Sequence, residues 1–242
     1  MDIALLGMGR MGAAVEALAP AQGHTVIARF NRTHPLTSSD QLREADVAID
    51  FSVQDAVVEH LRICCEARIP AIVGTTGWQN DLPEVANTVS RLGAAVLHSP
   101  NFSLGVQLML HATRAMGRLL HQLPEYDVAL HEVHHTGKKD RPSGTALQLA
   151  QILLDDLPYK TAWGMPGNFA PDKLEIATTR VGTVFGRHTV ILDSPQDQVV
   201  IVHEAKNRDG FAMGALKAAE WIPGRQGLFT LQDMLSDWFS EN

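Results

Sequence analysis

The chain has 242 residues, 45% hydrophobic and 19% charged, with a net charge of −7. That is a globular composition, enough for one or two domains, and its acidity gives no general attraction for nucleic acid or an anionic membrane surface. The only cysteines, Cys64 and Cys65, are adjacent and leave no disulfide framework. With no basic, apolar leader and no run of about eighteen apolar residues, the expectation is a cytoplasmic protein with neither nucleic-acid nor membrane partners.

In chain order, short apolar runs at 3–6, 25–29, 47–51, 71–73 and 94–98 read as strands. Helical periodicity over 12–21, 56–67 and 82–92 separates them. Strands alternating with helices predict a parallel sheet covered on both faces, with ligands beyond the carboxyl ends of its strands. From about residue 105 the pattern changes to a helix over 105–122, a strand over 127–133 and a helix over 144–157. Strands of a mostly antiparallel kind follow at 176–180, 186–193 and 199–205, then helices at 212–221 and 230–239. Two domains are expected: a dinucleotide-binding domain over 1–105, completed by 209–242, and a second domain over 106–208.

Gly7-Met8-Gly9-Arg10-Met11-Gly12 follows the first strand and opens a helix. The first glycine allows a tight turn, the second lets backbone approach a pyrophosphate, and the third lets helix pack close to strand. The helix N-terminus then offers N–H groups and partial positive charge to the phosphates. An acid at the end of the second strand would grip a ribose 2′-hydroxyl, yet no Asp or Glu lies between Glu16 and Asp40. Arg29 and Arg32 stand there instead. One of them facing a 2′-phosphate would make NADPH as acceptable as NADH, and a solvated loop arginine is the competing reading.

The densest polar stretch runs from His131 to Thr145. His131, Glu132 and His135 spell H-E-x-x-H, a zinc signature that needs a helix. Residues 128–133 read as a strand, where positions i and i+4 lie about 13 Å apart. No metal is therefore expected. Ser143 is a good N-cap for the following helix. Gly144 and Thr145 then present N–H groups at a positive helix end suited to a carboxylate. His134, His135 and Lys138, read as lying in a loop just upstream, add cationic donors and make a pocket for a small dianion. Lys138 could act as a general acid.

The run Glu132-Val133-His134-His135-Thr136-Gly137-Lys138-Lys139-Asp140-Arg141-Pro142-Ser143-Gly144-Thr145-Ala146 resembles the E-x-H-H-x-x-K-x-D-x-P-S-G-T-A signature of the dihydrodipicolinate reductase family. Ile49-Asp50-Phe51-Ser52, Gly74-Thr75-Thr76-Gly77, Asn101-Phe102-Ser103-Leu104-Gly105-Val106 and Arg180-Val181-Gly182 with Gly186-Arg187-His188-Thr189 resemble further motifs of that family, in its order. Thr136, Gly137 and Arg141 depart from residues common there.

The resemblance implies a Rossmann-type, doubly wound α/β domain plus a smaller α+β substrate domain, whose open mixed sheet builds a homotetramer. It implies that NADPH or NADH reduces a cyclic imine dicarboxylate in diaminopimelate and lysine biosynthesis. His134 would be the catalytic-site histidine and Lys138 the proton donor. His135, Lys138, Ser143, Gly144 and Thr145 would hold the substrate. Gly7, Met8, Gly9, Arg10, Met11, Gly12, Arg32, Gly74, Thr75, Thr76, Ser99, Pro100, Asn101 and Phe102 would hold the cofactor, and Arg208 matches an arginine at the hinge end of the substrate domain. The rival readings are a different dinucleotide-dependent reductase and a dinucleotide-binding protein without activity. The intact run from His134 to Ala146 speaks against both.

Overall fold

The structure is a computed structural model that describes residues 1–167 and 170–240. It divides into two compact units: Met1–Ser103 together with the chain from Arg208 onward, and Leu104–Asn207. Residues 241–242 of the expected first domain and 168–169 of the second lie outside the described residues. The first unit begins with β1 (Asp2–Leu6), α1 (Arg10–Leu18), β2 (Thr25–Phe30), β3 (Val47–Asp50), α2 (Gln54–Ala67), β4 (Ala71–Val73), α3 (Leu82–Leu92) and β5 (Ala95–His98). The second unit contains α4 (Leu104–Leu120), β6 (Asp127–His134), α5 (Gly144–Asp156), β7 (Ala162–Gly164), β8 (Lys173–Arg180), β9 (Gly186–Asp193) and β10 (Gln198–Ala205). The chain then returns to the first with α6 (Asp209–Trp221), β11 (Gly227–Thr230) and α7 (Leu231–Ser240). Among the described residues no helix is long and apolar enough to cross a membrane.

The first sheet has the order β11-β5-β4-β3-β1-β2, and all its pairings are parallel. Its central strands are apolar on both sides, as a sheet covered by helices on both faces requires. Ile3, Ala4, Leu5 and Leu6 are all buried, as are Val47, Ala48 and Ile49. The strand order reverses at β1, which lies between β2 and β3, so the switch point is bordered by the residues after Leu6 and Asp50. The helix expected over 12–21 starts earlier, at Arg10, and stops at Leu18. A 3-10 turn over Ala19–Gln22 replaces its end, because Pro20 has no N–H for the helical ladder. Strand β11 was not expected from sequence. It is four residues long and only half buried, so it carries little periodic signal. Helix α6 lays small residues (Ala212, Gly214, Ala215, Ala218) against its own unit. A Cβ on Gly214 would stand 1.8 Å from the Phe102 carbonyl oxygen.

The second sheet has the order β10-β9-β6-β8-β7. Its β10/β9 and β9/β6 pairings are antiparallel, and its β6/β8 and β8/β7 pairings are parallel. The mostly antiparallel reading is therefore half right: β6 reaches β8 through a crossover containing α5, which imposes the parallel direction. One face of the sheet is apolar. Val128, Leu130, Leu174, Ile176, Val190 and Leu192 pack with Leu149 and Leu153 of α5 and Met109 of α4. Along β6 the next two buried positions of the same alternation are Glu132 and His134, so the apolar core gives way to a polar cluster at the strand's carboxyl end.

Candidate functional site

In the first unit the site is built mostly from backbone. Gly7 has φ 94°, and a Cβ on it would lie 2.5 Å from the Phe51 carbonyl oxygen. A Cβ on Gly12 would lie 2.1 Å from the Gly7 carbonyl oxygen, so the third glycine sets how closely α1 meets the turn. At Gly9 a Cβ would meet nothing within 4 Å, which leaves space directly before the N-terminus of α1 at Arg10 and Met11. A cavity of about 620 Å³ opens there, bordered by the Gly7–Gly9 turn, the Phe30–Thr33 segment, Phe51–Val53 and His60. An extended dinucleotide fits these features: a glycine turn, a helix N-terminus and room beside both.

Arg32 borders this cavity. Asn31 shapes its loop by accepting from the Thr33 and His34 amides through Oδ1, at 2.8 and 3.0 Å. Arg29 is not among the cavity's lining residues; its Nε donates to Glu16 at 2.5 Å. Of the two arginines left open by the sequence, it is Arg32 that stands beside the cavity. Beneath the cavity, Asp50 is fully buried and accepts from the Ser52 amide (2.7 Å), the Thr75 hydroxyl (3.0 Å) and His60 Nδ1 (2.8 Å). Thr75 thus uses its hydroxyl to tie the loop after β4 to the end of β3.

Gly74, Thr75, Thr76, Ser99, Pro100, Asn101 and Phe102 do not line the cavity, although they follow β4 and β5 on the same sheet. Gly74 and Phe102 pack against Phe51, which does line it. A Cβ on Gly74 would overlap the Phe51 ring, and Phe102 meets that ring edge-on at 6.2 Å. Ser99 Oγ donates to the Asn101 carbonyl (2.9 Å) and accepts from its amide (3.2 Å), which fixes that loop. Sequence reasoning missed Ser52 and His60 as neighbours of the cavity; a histidine ten residues after a buried aspartate carries no local motif.

In the second unit the site is built from side chains. The register sets Glu132 opposite His188 of β9, and His134 opposite Arg180 of β8. Glu132, His134 and His188 are buried, and Arg180's side chain is 3% exposed. Glu132 accepts from Arg180 Nη2 through Oε1 (2.8 Å) and from the Ser143 amide through Oε2 (3.1 Å). Ser143 caps α5: its Oγ accepts from the Ala146 amide (3.3 Å) and shares a hydrogen bond with His188 Nε2 (3.1 Å). Gly144, exposed at the first helical position, has no carbonyl of its own helix to donate to. Lys138 is partly exposed and donates to Asp140 at 2.9 Å. His135 is exposed.

His134 is corrected on two counts. It is the last residue of β6, where the sequence reading set it in a loop. Burial outweighs the opposing charge of Glu132 and, with the charges of Lys138 and Arg180, pushes its pKa down to about 4, so it is neutral near pH 7 and no cationic donor. Burial, then His134, pushes His188 down to about 4 as well. Burial works to raise Glu132, but hydrogen bonds from Ser143 and Arg180 outweigh it and hold the group below the usual carboxylate range. The fixed charges are therefore Glu132 with Arg180, and Lys138 with Asp140. Glycine at 186 gives His134 its room, since a Cβ there would stand 3.0 Å from His134 Nε2.

The H-E-x-x-H residues do not converge. His131 bonds Thr179 Oγ1 at 3.0 Å, and His135 lies beyond the end of β6. A different trio does: donor atoms of Glu132, His134 and His188 lie within 4.8 Å of one another. Both oxygens of Glu132 already accept hydrogen bonds, from Arg180 and from Ser143. The oxygen nearest both rings is Oε2, 3.6 Å from His134 Nδ1 and 3.9 Å from His188 Nε2, and it already accepts the Ser143 amide, so an ion there would compete with the contact that anchors the start of α5.

Comparison with known proteins covers the same two regions. The family model for the N-terminus of dihydrodipicolinate reductase matches residues 1–102, and that for its C-terminus matches residues 105–235. A 4-hydroxy-tetrahydrodipicolinate reductase of Christiangramia forsetii is 37% identical over 242 residues, covering 99% of each chain. One from Natronomonas pharaonis is 34% identical, covering 96% of this chain and 99% of its own. In fold, the chain is similar to the dipicolinate-bound dihydrodipicolinate reductase of Paenisporosarcina sp. TG-14, with a TM-score of 0.78 at 20% identity over 95% of this chain and 97% of that one. The glycine turn and the histidine–lysine run thus sit in a match that extends over nearly the whole sequence, and the chain belongs to the dihydrodipicolinate reductase family.

Proposed function

We propose that this chain is a 4-hydroxy-tetrahydrodipicolinate reductase, which reduces a cyclic, conjugated imine dicarboxylate to tetrahydrodipicolinate in diaminopimelate and lysine biosynthesis. The observation that carries this reading is in the second unit: the turn bearing Lys138 and the Ser143-capped N-terminus of α5 are both tied to one buried pair, Glu132 and Arg180. A helix end for carboxylates, with the backbone of an ammonium-bearing residue tied to the same pair, suits reduction of a dianionic acceptor.

A nicotinamide cofactor supplies the hydride when bound. The Gly7–Gly12 turn and the N-terminus of α1 would hold its pyrophosphate, and Arg32 would pair with a 2′-phosphate, so NADPH would serve as readily as NADH. Gly144, Thr145 and His135 hold the substrate's carboxylates at the positive end of α5. Lys138 Nζ delivers the proton to the enamine that forms as hydride reaches the ring. Neutral His134 shapes the polar floor. The protein works in the cytoplasm as a homotetramer built on the open face of the second sheet, where Val200 and Val202 stand about half exposed.

The test is a spectrophotometric assay with substrate generated in situ, following loss of nicotinamide absorbance. Substrate-dependent oxidation of NADPH and of NADH is expected; no oxidation of either sinks the reading.

A further inference from the structure

The proposed reaction needs two segments outside the sheet to hold still: the turn bearing Lys138 and the first turn of α5. One buried pair of side chains reaches both. Arg180, at the end of β8, donates through Nε to the Lys138 carbonyl (3.3 Å) and through Nη2 to the Asp140 carbonyl (2.5 Å) and Glu132 Oε1 (2.8 Å). Its Nη1 donates to the Thr179 carbonyl at 3.0 Å. Glu132 passes the connection on, since its other oxygen accepts the Ser143 amide at 3.1 Å. Asp140 is also the counter-ion of Lys138, at 2.9 Å, so the guanidinium holds the backbone of the ammonium-bearing residue and of its partner.

We infer that Arg180, together with Glu132, is a positioning residue for this reaction: it fixes Lys138 and the carboxylate-binding end of α5 relative to each other without touching substrate. The inference rests on the proposed roles of Lys138 and the α5 N-terminus. The chemistry requires arginine. Its flat fork of five donors meets three carbonyls and a carboxylate at fixed angles, whereas lysine offers three donors from one atom. Stability alone is a weak reason for this pair, because a buried ion pair seldom outperforms apolar residues of similar volume. Arg180 also offsets the charge of Glu132, which would otherwise lie unneutralised next to the residue that caps the helix end receiving the substrate's carboxylates.

The experiment compares the full-length wild type with Arg180→Lys, Arg180→Ala, Glu132→Gln and Lys138→Met. It measures kcat, the inhibition constant of pyridine-2,6-dicarboxylate and the Kd of NADPH. Arg180→Lys is expected to lower kcat about 100-fold, the scale of a misplacement near 1 Å, and to weaken dicarboxylate binding about tenfold. The Kd of NADPH should stay within about twofold, a split that general loosening of the fold would not give. Guanidinium at tens of millimolar should restore part of the turnover of Arg180→Ala, and ethylammonium should not. Arg180→Lys within about threefold of wild type in both kcat and inhibition overturns the inference, as does equal rescue by the two cations. Should the Arg180 variants fail to fold, Glu132→Gln decides: weakened dicarboxylate binding supports the clamp, and unchanged binding overturns it. Near-wild-type turnover in Lys138→Met would sink the proton-donor reading; dicarboxylate binding in Arg180→Lys then judges the clamp alone, weakened in support and unchanged against.

Discussion

In the first unit the candidate cofactor site is mostly backbone: a turn at Gly7 with φ 94°, clearance at Gly9, a close approach at Gly12 and the end of α1. In the second unit the candidate substrate site is mostly side chain. Glu132, His134, Arg180 and His188 come from three strands and share hydrogen bonds, ring contact or register over the first turn of α5. The backbone site is specified by what must be absent, namely a Cβ in two places. The side-chain site is specified by which charges are present and which rings stay neutral. A dinucleotide's phosphates can be met by N–H groups common to many sequences, whereas one particular dicarboxylate and one proton require particular residues.

The largest expected effect lies in the second unit. Lys138→Met should lower kcat about 1,000-fold while leaving NADPH binding intact, as steady-state kinetics and a fluorescence titration would show. Comparable turnover with and without the ammonium would remove the side-chain half of the comparison. Next, Gly12→Val sets a Cβ where only 2.1 Å separates it from the Gly7 carbonyl oxygen. Backbone must move, so NADPH affinity should fall on the order of 100-fold while pyridine-2,6-dicarboxylate still binds. Loss of both ligands together would show that the two sites are not separable.

A smaller effect concerns pH. His134 and His188 take up protons near pH 4 in the folded chain and near 6.5 when unfolded. The unfolded state therefore binds more protons between those values, and stability is lost as pH falls from about 6.5 towards 4. A loss of several kcal/mol, with a fall in Tm, is expected by calorimetry. His188→Asn should flatten that slope, and an unchanged slope would mean that His188 titrates normally. Smallest is Arg32→Ala, expected to raise the KM for NADPH about tenfold and leave that for NADH unchanged. Equal change with both cofactors would return Arg32 to the solvated reading.

Legibility divided along the same line. Gly7, Gly9 and Gly12 act within six residues, and their three roles are visible before any coordinates. Ser143 announces a helix start, and the structure caps α5 with it; strand β9 runs over 186–193 as its alternation predicts. What stayed hidden is non-local. Arg180 is 48 residues from Glu132, and His188 is 45 from Ser143; those pairings follow from sheet register, which no local pattern encodes. The burial that makes His134 neutral depends on β8 and β9 arriving beside it, so a histidine in a polar run reads as solvated. Strand direction in the second sheet was misjudged for the same reason, because periodicity is identical in parallel and antiparallel strands.

The most direct test that the two ligands occupy separate regions is an amide NMR titration of the full chain with NADPH and, separately, with pyridine-2,6-dicarboxylate. NADPH should perturb Gly7 to Gly12 and Arg32, and the dicarboxylate should perturb His135 to Lys138 and Gly144 to Ala146. Dicarboxylate shifts confined to the glycine turn, or none in the α5 N-terminus, would contradict that separation.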